Sequence, residues 1–572
     1  MLIKDFTKIT QIVPKNIKYN FYIFIFFLLI SSAFELVSIS ALIPIAEILL
    51  NGKTSILFLD NFLNNFFNNF SELKYLNTIL IGFLIIIILK SFFLIFFSYW
   101  TNKFSQQIYK SISTKLLKNY FGNKYHFFLN NKSSDLTRNV ILETKNIGLI
   151  VFCYLKTITE IFIFFSIGIL ILFIDFKSSS ILILSFSIFS ALYFIFTKKI
   201  IYNFGLIRQK TTGSLLKILQ EIFGSIKDIK LKSSENFFEK LYRNHLEKFI
   251  SAAYKSNTIN EIPRYLIEVI FIVIIFILIF INISSSGEIE KIISILAVYL
   301  AAGFRILPGA VKLNGYFQTI QSLKPSLDLL YKELIIDKMQ IREAKKDNYK
   351  KVNLKKEILI NNLSFSYGKK IIFKDINLKI NTKSVLGIRG DSGSGKSTLI
   401  NLLLGLLEPD KGSIMIDNKN INDFIFQWQS NIGYVSQNIF LLDSPLRENI
   451  AFGLNNDEID YSLLDKVIKS AHLNKFISSL DNGVNTNIGE KGSWISGGQI
   501  QRIAIARELY KKPSILILDE ATSGLDEKTE EKILNGIISL KNEMTIIIVS
   551  HNKNTLKFCD KIIDLNSFKL IN

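Results

Sequence analysis

The densest chemistry in the chain lies in one run, Gly390-Asp391-Ser392-Gly393-Ser394-Gly395-Lys396-Ser397-Thr398. Glycines at this spacing let the backbone turn its N–H groups onto phosphate oxygens, while Lys396 can reach the outer phosphates and the Ser397 hydroxyl can ligate magnesium. The strand-like Val385 to Ile388 precedes the run and the apolar Leu399 to Leu407 follows it. That places the loop at a helix N-terminus, where the helix dipole favours an anion. A second element is Ile515-Leu516-Ile517-Leu518-Asp519-Glu520. Four apolar strand residues deliver Asp519 to a metal ion and set Glu520 beside it as a base that can polarise an attacking water. Either element alone has bland explanations. Together they point to hydrolysis of a nucleoside triphosphate.

Between them stands Ile495-Ser496-Gly497-Gly498-Gln499, followed by Gln501-Arg502-Ile503-Ala504-Ile505-Ala506-Arg507. On these residues the sequence resembles the ATP-binding cassette transporters, whose signature this run is. The resemblance implies ATP and Mg2+ as cofactors. It also implies that Ser496, Gly497, Gly498 and Gln499 bind the γ-phosphate of ATP held by an opposite subunit. Tyr367 is similar to the aromatic that stacks on adenine, Gln437 to the glutamine joining magnesium to the membrane interface, and His551 to the histidine contacting the γ-phosphate. Glu520, His551 and Gln437 are thus the expected catalytic group, and Ser397, Gln437 and Asp519 the expected metal ligands. Ile488 to Gly492 resembles the exporter loop preceding the signature, and Ser523-Gly524-Leu525-Asp526 a dimer-contact loop. Three positions depart from the common pattern: Ile495 for Leu, Gly524 for Ala and Asn552 for Arg. One phosphate loop and one signature per chain imply a homodimer.

The elements that must carry these groups follow from composition. In 572 residues, 49% are hydrophobic and 20% charged, and mean hydropathy is +0.31, which excludes a disordered chain and a single small module. Two cysteines and four scattered histidines exclude a disulfide framework or a metal cluster. Apolar stretches near 20–50, 76–100, 149–174, 181–197, 266–283 and 289–307 can each cross about 30 Å of hydrocarbon, and the first is too long for a signal-peptide core. A count of four is the alternative, because the fourth and sixth are short or interrupted. Lys and Arg outnumber Asp and Glu by 68 to 48, for a net +20. The excess gathers in 101–148 and 198–260, so these segments should face the cytoplasm. Both keep helical apolar spacing, as in Ile218, Ile222, Ile226 and Ile229, and should be helices continuing beyond the bilayer, turning near 121–129 and 223–229. The expected architecture is a polytopic α-helical membrane domain of six transmembrane helices, exporter type, fused to an α/β P-loop nucleotide-binding domain. Its boundaries are 1–335 for the membrane domain, 336–357 for a linker and 358–572 for the nucleotide domain. The resemblance implies a multi-pass protein of the bacterial inner membrane with the nucleotide domain in the cytoplasm.

Ionisable residues inside spans cost on the order of 2.5–3.5 kcal/mol each and usually face a cavity or a partner. Lys90, Arg264, Arg305 and Lys312 could line a cavity suited to a phosphate or pyrophosphate head group. Pairing competes with that reading: Arg264 with Glu268, Lys90 with Glu35, Lys156 with Glu160. The stretch 51–75 could form an amphipathic helix on the outer leaflet. Phe34 to Ser40, Pro263-Arg264 and Phe304 to Pro308 are similar to segments of bacterial lipid-linked oligosaccharide flippases. The implied function is ATP-driven movement of an anionic lipid-linked glycan from the cytoplasmic to the outer leaflet by alternating access. Membrane lipids are the expected partners, and nucleic acid is not. Alternatives are an exporter of another lipid, a drug or a peptide, and, more remotely, a membrane-tethered cassette ATPase in nucleic-acid or translation work.

Overall fold

The structure is a computed structural model that describes residues 2–40, 72–174, 176–286, 289–336, 354–489 and, from 492 on, all but 493, 494, 523, 525, 567, 568 and 572. It divides into two compact units, Met1–Asn123 with Phe127–Arg342, and Lys124–His126 with Glu343–Asn572. The expected linker falls almost wholly on 337–353, outside the described residues, as do 41–71 and with them most of the candidate surface helix at 51–75.

The first unit is helical. Its main helices are α1 (Leu2–Ile12), α2 (Tyr19–Ser40), α3 (Glu72–Phe121), α4 (Thr144–Ile174), α5 (Phe176–Gly224), α6 (Glu235–Ser286) and α7 (Ile289–Tyr331). Helix α3 has 50 residues, α5 49 and α6 52. At 1.5 Å per residue each is about 75 Å long, more than twice the hydrocarbon thickness, so the basic segments are helical continuations of the spans. The chain turns where the sequence expects, through the short helices Tyr125–Asn130 and Ile226–Leu231. Among the described residues, four stretches are long and apolar enough to cross a membrane: Lys15–Ser38, Leu80–Phe121, Ser133–Leu170 and Ser179–Gly224. The other two expected spans, near 266–283 and 289–307, lie on α6 and α7.

Helix α3 shows why these helices pack as they do. Phe104, Ile108, Ile112 and Leu116 recur every four residues on one face and are almost fully buried, against Ile147, Ile150 and Val151 of α4 and Ile320, Leu323 and Leu327 of α7. Further toward its start the opposite face is also apolar but bare, with Phe92 69% and Ile95 67% exposed. Such a surface is stable against lipid and costly against water. Polar clamps hold the other ends. Asp5 and Lys8 of α1 pair with Lys324 (2.7 Å) and Asp328 (2.6 Å) of α7. Two five-residue π-turns, Asn139–Glu143 and Lys332–Ile336, are tied together because the Asn139 amide donates to Glu333 at 2.8 Å. The Tyr120 hydroxyl donates to the other oxygen of Glu333 at 2.5 Å.

Of the two readings the sequence offers for Lys90, cavity cation or partner of Glu35, the structure shows the pair. Lys90 Nζ lies 2.6 Å from Glu35 Oε2 and 2.8 Å from Ser38 Oγ, and the Glu35 side chain is only 3% exposed. A buried carboxylate in an apolar bundle requires a counter-charge, and Lys90 supplies it.

The second unit is built on two sheets. Strands β1 (Glu357–Tyr367), β2 (Lys370–Asn381), β4 (Lys411–Ile416) and β5 (Lys419–Asn420) make an antiparallel sheet in the order β2-β1-β4-β5. The other uses β3 (Val385–Arg389), β6 (Ile432–Val435), β7 (Ile515–Asp519), β8 (Thr545–Val549), β9 (Lys561–Asp564) and β10 (Lys569–Ile571), in the order β10-β9-β3-β8-β7-β6, parallel except at β10. Alternate residues of its central strands feed two cores: Leu516, Leu518, Ile546 and Ile548 enter one, and Ile515, Ile517, Ile547 and Val549 the other. A strand covered on both faces has no polar side, which is why β7 and β8 read as unbroken apolar runs. Helices α8 (Lys396–Leu403), α9 (Gly497–Tyr510) and α10 (Glu527–Ile538) supply the covering side chains. The carboxyl ends of β3, β6, β7 and β8 all lie on one edge, the usual place for a ligand in a parallel sheet.

Candidate nucleotide site

The loop between β3 and α8 is shaped by its glycines. Gly393 and Gly395 have φ of +87° and +96°, and a Cβ on Gly395 would stand 2.8 Å from Phe373 Cζ. A Cβ on Gly390 would meet Ser394 Oγ at 2.5 Å. Lys396 folds back over the loop, its Nζ donating to the carbonyls of Gly390 at 2.6 Å and Asp391 at 3.0 Å. Ser394 Oγ is buried without a hydrogen-bond partner among the described residues. A buried hydroxyl in a glycine cradle, beside a lysine and a helix N-terminus, fits an anionic oxygen as its missing acceptor. Ser392 and Ser397 are exposed and Thr398 is buried in the first turn of α8.

Beyond the end of β7 the chain bends sharply: Glu520 is left-handed, with φ 50°, and its N–H donates to the Val549 carbonyl at 3.0 Å. A non-glycine residue in that conformation stores on the order of 1–3 kcal/mol of strain, which surrounding bonds must hold. They do. The Gln437 amide donates to Glu520 Oε2 at 2.6 Å, and His551 Nδ1 lies 2.9 Å from Oε1. The three expected catalytic residues are therefore joined, with Glu520 between the other two. Asp519 is 8% exposed and receives the Tyr434 hydroxyl on Oδ2 at 3.1 Å. Burial pushes its carboxyl above the usual aspartate range and the neighbouring Glu520 charge adds to this, while the Tyr434 bond and Lys396 oppose them. The expected metal ligands Ser397, Gln437 and Asp519 would all offer oxygen, which fits Mg2+ and not a soft metal.

Ser496 caps α9: its Oγ accepts the Gln499 N–H at 3.3 Å, and Gln499 Oε1 accepts the Ser496 N–H at 2.9 Å. Ser496 and Gly497 are exposed, so the positive end of this 14-residue helix opens outward. No bond joins Ser496, Gly497 or Gly498 to the phosphate loop of the same chain among the described residues. Tyr367 ends β1 39% exposed, its ring edge-on to Phe365 at 5.0 Å. Of the loops flanking the signature, Glu490, Lys491, Ser523 and Leu525 lie outside the described residues, and Asp526 caps α10 through Thr529.

In the helical unit, Arg264 and Lys312 line one cleft of about 440 Å³ between α6 and α7, with Glu268 and the apolar walls Ile267, Leu307, Pro308 and Val311. Arg264 Nε lies 3.5 Å from Glu268 Oε1, and both side chains are more than half exposed, at 64% and 52%, so the pair is weak. The Arg305 side chain lies outside the described residues. Sequence reasoning missed Tyr434 and Glu508, whose carboxylate accepts the Tyr434 N–H at 3.2 Å. The signal was the strand β6 just before Gln437, on which Tyr434 sits three positions earlier.

Two family models match the chain in order: the ABC transporter transmembrane region over residues 21–302 and the ABC transporter model over 373–523. Relatives align over about a third of the chain. An ATP-dependent lipid A-core flippase of Cupriavidus pinatubonensis is 37% identical over 190 residues, 33% of this chain and 32% of that protein. ABC transporter B family member 17 of Arabidopsis thaliana is 42% identical over 185 residues, 32% of this chain and 15% of the relative. The match thus spans a third or less of the length of these relatives. A solved structure, a bacterial Atm1-family ABC exporter with ATP bound, superposes with a TM-score of 0.77 over 97% of this chain and 94% of that one at 20% identity, which establishes a shared fold.

Proposed function

Because the chain belongs to the ABC transporters, joining their transmembrane region to their ATP-binding domain, we propose that it hydrolyses ATP to move an anionic, phosphate-bearing glycolipid from the cytoplasmic to the outer leaflet. The observation that carries the hydrolytic part is Glu520 gripped by Gln437 and His551 at the end of the strand that also delivers Asp519. Glu520 takes a proton from water, Gln437 on Oε2 and His551 on Oε1 hold its carboxylate in place, and Lys396 with the loop N–H groups neutralises charge on the phosphates. Ser397, Gln437 and Asp519 would hold a magnesium ion, which when bound would supply positive charge against the phosphates.

The outward-opening Ser496 and Gly497 support a homodimer. A helix N-terminus with no phosphate of its own chain to meet is completed by a nucleotide on a second copy, so each nucleotide binds both copies only when they are closed together. The proposed domain limits are 1–335, 336–357 and 358–572, with the multi-pass unit in a bacterial inner membrane and the nucleotide domain cytoplasmic.

The cargo reading rests on the cleft that joins apolar walls to Arg264 and Lys312, with Arg305 assigned to the same group on sequence. Such a site suits a lipid whose head group carries phosphate or pyrophosphate, as in lipid-linked oligosaccharides. It is tested by reconstituting the chain in vesicles with labelled polyprenyl-pyrophosphate glycan and scoring ATP-dependent flipping. Replacing Arg264 and Lys312 together by Ala is expected to slow flipping about 10-fold or more, since each charge-assisted bond contributes ~1.5–3 kcal/mol, while basal hydrolysis persists. Unchanged flipping by the double variant would remove these residues from the cargo site. Movement of a different lipid, a drug or a peptide would replace the glycolipid as cargo.

A further inference from the structure

We propose that Tyr434 is a positioning residue for the metal site: its hydroxyl fixes Oδ2 of Asp519 and so leaves the other carboxylate oxygen aimed to ligate the metal that accompanies the nucleotide. The inference rests on the nucleotide reading above and adds to it a residue that no motif assigns.

The argument starts from strand pairing. β6 and β7 are parallel, with Tyr434 opposite Ile517 and Val435 opposite Leu518. β6 ends at Val435 opposite Leu518, so the residues that follow it run on toward Asp519 and Glu520. Two donors, three residues apart in sequence, then serve two adjacent carboxylates: the Tyr434 hydroxyl reaches Asp519 Oδ2 at 3.1 Å, and the Gln437 amide reaches Glu520 Oε2 at 2.6 Å. One strand end orients both acids of the site.

Asp519 has strong reason to depend on that bond. It is 8% exposed, and a buried carboxylate without a donor costs far more than an exposed one. A Tyr hydroxyl has one proton to give, so it occupies a single oxygen and cannot close both. The strand position of Tyr434 is itself held from a third element, because its N–H donates to Glu508 Oε2 at 3.2 Å. Glu508 lies in α9, whose first turn carries the signature residues, and it is 7% exposed. The Glu508 carboxylate also receives Lys511 Nζ at 2.9 Å. Tyr434 therefore has a fixed backbone, a fixed ring and one directed proton, which is what an outer partner of a metal ligand requires.

The test uses the full-length chain in lipid nanodiscs, with Mn2+ as the metal and a non-hydrolysable ATP analogue as the nucleotide. Bound Mn2+ is counted by electron paramagnetic resonance, and nucleotide binding is measured separately without metal. Tyr434→Phe keeps the ring and removes the proton. The expected result is a Mn2+ affinity lowered by about 10- to 100-fold, the usual loss for such partners, with metal-free nucleotide affinity unchanged. That second measurement also reports that the site is folded. Should Tyr434→Phe not fold, Tyr434→His, which offers a ring N–H, is measured in its place, and a Mn2+ affinity above that of Asp519→Asn is expected. Equal Mn2+ affinity in Tyr434→Phe and the parent overturns the proposal while leaving the nucleotide reading intact. Absence of nucleotide binding in the parent chain overturns that reading instead.

Discussion

Glu520→Gln is expected to retain ATP binding and to hydrolyse it roughly 10²- to 10⁴-fold more slowly, the range general bases contribute. The substitution is isosteric, so the strained turn at φ 50° and the bond from its N–H to Val549 remain. What changes is chemistry at two atoms. The amide cannot take a proton from water. It also places an N–H₂ group where one of the donors now points, Gln437 on Oε2 or His551 Nδ1 on Oε1. Steady-state phosphate release and equilibrium binding of a labelled nucleotide separate the two effects. Hydrolysis at the parent rate would take Glu520 out of its role, and lost binding would mean that the substitution disturbs the loop and not the reaction.

The second large effect concerns stability. Lys90→Met is expected to destabilise the helical unit by about 3–5 kcal/mol, because it strands Glu35 in the bundle. The Glu35 side chain is 3% exposed, and Lys90 Nζ lies 2.6 Å from its carboxylate. Glu35→Gln combined with Lys90→Met should recover most of that loss, since replacing both members of a buried pair is often close to neutral. Thermal unfolding of the parent, both single variants and the double variant in one detergent completes the cycle. Four equal midpoints would show that the pair carries no weight.

These two sites differ in how far sequence reveals them. The acids and the phosphate loop were legible because their chemistry demands fixed neighbours: glycines before Lys396, and an apolar strand before Asp519. Gln437 and His551 were legible only by resemblance, and only folding shows that both grip Glu520. Tyr434 escaped because its partner is 85 positions away, and an aromatic on a buried strand is ordinarily packing. In the helical half, apolar length predicted the spans and four-residue spacing predicted their extensions. Lys90 stayed open between cargo and Glu35 because a lone cation on a span reads alike whether it meets cargo or a carboxylate, and the contact with Glu35 lies 55 residues away. Three-dimensional pairing, not local pattern, settles such cases.

The two linked π-turns carry a consequence for how the helical half can move. Each holds one more residue per loop than an α-turn, and reverting to α would swing everything beyond it by about 100° and advance it by about 1.5 Å. Asn139 sits in one and Glu333 in the other, on opposite sides of a 2.8 Å bond. Rewinding either turn alone would break that bond, so the bond couples the two surplus residues.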